Sequence, residues 1–146
     1  MSRDSAVSPA QEYRALELMS QIPEGCALFP VMDEKSDPHL RRGEIAVVDT
    51  ADREPRHGEV YVIQWSCGRR CITQLIGPGF AGFSPPEKDH WWTGALTYRQ
   101  SVPGLGELRM IDGPRSKSGI RKALIGRVIG IFQSLAVEAR DQAPSE

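Results

Sequence analysis

The sequence predicts a mostly β fold in a single domain, with one N-terminal helix. Three observations carry this. Two apolar runs, Glu44–Asp49 and Glu59–Trp65, each open with Gly-Glu, at Gly43-Glu44 and Gly58-Glu59. A tight turn between Cys67 and Cys71 sends the second run back through Arg70–Ile76, a hairpin signature. A further apolar run, Leu124–Leu135, lies late in the chain, and only one stretch has helical periodicity.

The 146 residues suffice for one sizeable core. Charged residues are 25% and hydrophobic ones 40%, ordinary values for a soluble globule. A net charge of −1 gives no general attraction to nucleic acid or anionic membranes. No apolar run reaches the roughly 18 residues of a membrane helix. Met1–Ser5 lacks the apolar core of a signal peptide. A cytoplasmic location is therefore expected. With it come thiols at Cys26, Cys67 and Cys71 rather than a disulfide frame.

In chain order, residues 1–7 are polar and expected to be disordered. A single domain is expected over 8–135, opening with a helix over 8–22. Ser8 caps it, Pro9 takes the first helical position and Gln11 closes a capping box. Ala15, Leu18, Met19 and Ile22 form one apolar stripe, which Pro23 and Gly25 end. One helix is too little for a helix-turn-helix, so direct nucleic-acid binding is not expected.

Cys26–Met32 reads as a strand, placed at an edge by Pro30. A charged bend follows, punctuated by Pro38 and Gly43. Glu44–Asp49 is apolar on both faces, which predicts burial on both sides. From Gly77 to Lys122 the pattern weakens. Gly77–Pro86 reads as loop, His90–Thr93, Ala95–Tyr98 and Glu107–Ile111 as short strands, and Pro114–Gly119 as a basic loop. Residues 136–146 form a polar tail.

These pieces resemble the C-terminal domain of LexA and the phage repressors, a self-cleaving serine peptidase family. That family shows Ser-Met-x-Pro-x-Leu-x-x-Gly-Asp, an apolar strand ending in Asp, and a second Gly-Asp strand. A hairpin return with Val-Lys-Arg-Leu and a closing Gly-Arg-Val-x-Gly strand follow. Here Pro38, Leu40, Gly43, Glu44 and Asp49 fall in the first pattern. Gly58 and Glu59 fall in the second, Ile72 and Leu75 in the third, and Gly126-Arg127-Val128-Ile129-Gly130 in the last. Residues 26–76 and 123–133 are covered. The resemblance implies a twisted, partly closed β-sheet assembly, homodimerisation and a role in transcription regulation.

The family's chemistry is a Ser–Lys pair, in which a desolvated lysine takes the serine proton. Here the nucleophile position holds Lys35 and the base position holds Thr73. Threonine cannot act as a base near neutral pH. The resemblance therefore implies a pseudo-peptidase: a non-catalytic regulatory or assembly module. Nor does the chain offer the Ala-Gly or Cys-Gly bond that self-cleaving members cut, since Gly25-Cys26 runs in reverse. A shifted register would instead make Ser36 the nucleophile of an active peptidase. Its bland reading is a turn-stabilising serine.

Other constellations carry two readings each. Cys67 and Cys71 are strand-end thiols, a facultative disulfide, or half of a zinc site completed by Cys26, His39, His57 or His90. No second tight pair exists, so no metal and no cofactor are predicted. Trp91 and Trp92, with Phe80 and Phe83 nearby, are a base-stacking platform or a loop folded over the sheet. Arg115, Lys117, Arg121 and Lys122 are a phosphate-contacting patch or a solvated loop.

Leu124–Phe132 cannot point all of Ile125, Val128, Ile129 and Ile131 at one core. Placed at a sheet edge, it would pair with its own copy across a two-fold axis. A homodimer through residues 124–133 is expected, with Arg127 at its rim and a regulatory protein as a further partner.

Overall fold

A computed structural model describes residues 16–36, 39–82, 84–102 and 106–133, with backbone alone for 97–102 and 106–108. The elements are β1 (Glu17–Met19), β2 (Cys26–Pro30), β3 (Ile45–Asp49), β4 (Val60–Gln64) and β5 (Arg70–Ile76). Then come β6 (Trp91–Val102), β7 (Gly106–Arg115), α1 (Lys117–Ala123) and β8 (Leu124–Phe132). They form one sheet in the order β2-β3-β8-β4-β5-β6-β7, with β1 beside β8. Every pair is antiparallel except β1–β8. The fold is mostly β, as expected, but the sheet ends openly at β2 and β7 rather than partly closing. No helix among the described residues is long and apolar enough to cross a membrane.

The helix expected over 8–22 is not helical where it is described. Glu17–Met19 instead pairs in parallel with Gly130–Phe132. The apolar stripe buries little, since Leu18 is 64% and Ile22 44% exposed. Pairing with β8 overrides the local helical pattern. Residues 1–15 and 134–146, with the helix start and the polar tail, lie outside the described residues, as does Pro38.

Both Gly-Glu pairs have one physical cause. Gly43 and Gly58 adopt φ of +93° and +89°. Gly43 N–H donates to Val31 O, and Val31 N–H to Glu44 O. Gly58 N–H donates to Leu75 O, and Leu75 N–H to Glu59 O. Each pair is thus a two-residue bulge opposite one partner residue, led by a glycine in the left-handed region. Turns closed by Glu44 N–H to Arg41 O and Glu59 N–H to Arg56 O lead into them.

Along β4, alternate residues feed opposite faces of the sheet. Val62 joins a core with Val31, Leu40, Ala46, Val48, Leu96 and Val128. Tyr61 and Ile63 join a second core with Leu75, Trp91, Ile120 and Leu124. Ile120 is fully buried and docks α1 on this second face, a burial that contributes about 2 kcal/mol. Ser116 caps α1 by accepting Gly119 N–H at 3.1 Å. The basic loop expected from Pro114 to Gly119 is therefore partly helix. At seven residues, with a glycine inside, α1 is too short to show a period.

β8 is not an edge strand. β3 lies on one side over Arg127–Phe132, while β4 and β1 share the other. Gly130 pairs with Val47 and Val128 with Val48, so Ile129 is the extra residue of a bulge. Ile125 is skipped in the same way against β4. Ile125 and Ile131 pack against the first core and Val128 lies within it. The strand feeds both cores, Val128 the first and Leu124 the second.

The weakly patterned middle holds the longest strands. β6 and β7 form one hairpin, with register shifts at three places. Each shift breaks the period-two alternation that marks a strand in sequence.

Candidate functional site

The bend from Val31 to Ser36 packs beside the start of β5. Between them lies a cleft of about 70 Å³, lined by Phe29–Asp33, Lys35, Ser36 and Arg70–Ile72. Lys35, at the resembled nucleophile position, is exposed. Ser36 is 2% exposed, and its carbonyl accepts the N–H groups of His39 and Leu40 at 2.9 and 3.0 Å. The residue therefore closes the turn.

Thr73 does not line this cleft. It is buried on β5, and its hydroxyl donates to Gly94 O at 2.9 Å. Around it the strands are tied by polar side chains. Arg109 Nε donates to Ala95 O at 2.7 Å, and its guanidinium also donates to Gln74. Gln74 in turn donates to Gly58 O at 3.0 Å. A Cβ on Gly94 would sit 2.6 Å from the Arg109 guanidinium, so glycine leaves that side chain its path. Thr73 and its neighbours serve cross-strand hydrogen bonding.

Cys26, Cys67 and Cys71 are free thiols. Burial pushes the Cys71 thiol up, against the opposing pulls of the Trp65 indole, Arg69 and Lys35. It is the protonated, weakly nucleophilic form that this site favours. His57 Nδ1 accepts Gly77 N–H at 3.1 Å, and its ring stacks on Phe80 with centroids 3.6 Å apart. Burial, then the nearby Arg109 charge, holds His57 below its ordinary value, in its neutral form. His90 Nδ1 lies 2.9 Å from Ser84 Oγ. Among the described residues no three His, Cys, Asp or Glu side chains gather as a metal site.

Trp91 is 7% exposed and belongs to the second core, so the tryptophan pair does not present two faces for stacking. Nor do the four basic residues form one patch. Arg115 lies over the Trp65 ring at 4.2 Å and pairs with Asp112 at 3.2 Å. Lys117 and Arg121 both pair with Glu54, at 3.0 and 3.1 Å. Arg121 and Lys122 line an open basin of about 690 Å³ with Asp49, Ala51–Glu54 and Arg56.

One constellation was not anticipated. Arg127, from the Gly-Arg-Val-x-Gly strand, donates Nε to Asp52 at 2.7 Å and reaches Glu59 at 3.5 Å. Asp52 also holds Arg56 at 2.9 Å. Arg127 thus pairs with two carboxylates of its own chain. Burial raises the Asp52 carboxyl, but hydrogen bonds from Arg127 and Arg56 outweigh it and hold the group below the usual range. Asp52 and Arg56 lie four residues apart in one loop. Arg127 lies 75 residues from Asp52, and no sequence pattern reports that distance.

No family model, curated protein or solved structure matches the chain.

Proposed function

We propose that the chain is a non-catalytic regulatory and assembly module built on a LexA-like peptidase fold. Thr73 carries this reading. A Ser–Lys peptidase needs a neutral amine within reach of its nucleophile. Here that position holds a buried hydroxyl already donating to Gly94 O. The resemblance adds its support at the partner position, where Lys35 stands exposed. Ser36 has no lysine facing it from the β5 wall of the cleft, which is Arg70, Cys71 and Ile72.

Incubation between about pH 7 and 10, followed by mass spectrometry, is expected to return only the intact chain. A serine-directed fluorophosphonate is expected to leave it unlabelled. Fragments or labelling that Ser36→Ala abolishes would make the chain a peptidase and end this reading.

The assembly half of the proposal falls to the open edges, since both sides of β8 are occupied. Among the described residues, β2 pairs only with β3 and β7 only with β6. Unpaired strand edges accept a second strand. Sedimentation at micromolar concentration is expected to give twice the 16.2 kDa chain mass. Ile129→Asp is then expected to destabilise the fold without acting selectively on the dimer. A monomer at every concentration would remove self-assembly from the proposal.

A further inference from the structure

An open basin lies at the end of β3, and the proposed regulatory role does not use it. Its wall comes from Asp49, the loop Ala51–Arg56 and the last turn of α1. The acids in the loop are already satisfied. Asp52 is held by both Arg56 and Arg127. Glu54 is held by both Lys117 and Arg121. Arg53 and Lys122 also line the basin and have no acidic partner among the described residues. The basin's own lining sets four cations, Arg53, Arg56, Arg121 and Lys122, against three carboxylates, Asp49, Asp52 and Glu54. That local excess of positive charge stands out in a chain of net charge −1.

We infer that this basin binds a small phosphorylated ligand. Its volume of about 690 Å³ falls in the range of small-molecule sites. Phosphate suits it because neither Arg53 nor Lys122 is held in an ion pair with a described residue, and Arg53 can present a two-pronged donor to phosphate oxygens. Arg56 and Arg121, fixed by their carboxylates, frame the site without being exhausted, since a guanidinium carries five donors. Asp49 makes no ion pair with a described cation. One of its oxygens accepts Ala51 N–H at 3.1 Å, and the carboxylate retains acceptor capacity for a ligand hydroxyl. The same acids argue against a nucleic-acid strand. A strand's successive phosphates need an unbroken cationic track, and Asp49, Asp52 and Glu54 interrupt this one.

The test is an amide chemical-shift titration of the full chain at low salt. Inorganic phosphate, pyrophosphate and a single-stranded oligonucleotide are the probes. Shifts confined to residues 49–56 and 120–123, larger with pyrophosphate than with phosphate, are expected. Arg53→Ala with Lys122→Ala is expected to weaken pyrophosphate binding roughly ten-fold, and added salt to weaken it in the wild type. Both side chains are exposed, so the double variant should keep its unfolding midpoint. No shifts at these residues, or equal binding by the double variant, would overturn the inference. An oligonucleotide that binds more tightly than pyrophosphate and displaces it would overturn it too, in favour of a nucleic-acid surface.

Discussion

Gly126→Ala is expected to lower the unfolding free energy by about 3 kcal/mol, the upper end of overpacking costs. A methyl group there would stand 2.5 Å from Asp49 O and 2.8 Å from Val48 Cγ1. The obstacle is the backbone of β3, which cannot swing aside like a flexible side chain. Gly126 pairs with Val62 of β4, and the next residue, Arg127, pairs with β3 and β4 together, so relief in one direction disturbs the other. Denaturant unfolding should show a lower midpoint with an unchanged slope, and the melting temperature should fall by roughly 8–10 °C. Gly82→Ala is the control, because nothing lies within 4 Å of its added Cβ. It is expected to stay within about 0.5 kcal/mol of the parent. Equal effects from the two substitutions would show that β8 does not lie this close to β3.

Asp52→Ala is expected to cost about 2 kcal/mol at neutral pH, since it strands Arg127 beside Glu59 alone. The Asp52 and Arg127 side chains are 18% and 25% exposed, so water screens them only in part. Arg56, at 53%, contributes little of the loss. A pH dependence follows with a definite sign. The folded carboxyl titrates below its unfolded value, so Asp52 contributes fully above about pH 4. That contribution disappears as the pH falls through the folded value. The stability difference between parent and Asp52→Ala should therefore shrink below about pH 4 and stay constant from about pH 5 to 8. Asp112→Ala serves as a comparison, because its pair with Arg115 is 72% exposed on the carboxylate side. It is expected to change stability by less than about 0.5 kcal/mol. A difference that persists undiminished at low pH would show that Asp52 acts by packing and not by charge.

Local chemistry was legible wherever one residue type has one mechanical use. The glycines before Glu44 and Glu59 announced strand starts, because only glycine enters the left-handed bulge position without strain. The hairpin from Glu59 to Ile76 was readable from its alternation and its turn. The edge position of β2 followed from Pro30. Helical periodicity misled at Leu18 and Met19. A stripe of that kind shows which residues are apolar, not whether a neighbouring strand will claim the backbone. The β6–β7 hairpin escaped notice because its register shifts scramble the alternation.

The sequence by itself determined a mostly β domain and the two strand starts at Gly43-Glu44 and Gly58-Glu59. Those are local properties, written in residue types and short spacings. Only the tertiary structure decided that β8 is central, that Trp91 is core, and that Arg127 answers Asp52. It alone separated Arg115, which pairs with Asp112, from Arg121 and Lys122, and brought those two to one basin with Arg53. Each of these depends on which distant segments share an edge or a basin. Hydrogen bonds and ion pairs reach only a few ångströms in space, whatever the separation along the chain. Their partners are chosen when the sheet assembles, after local preference has spent its influence.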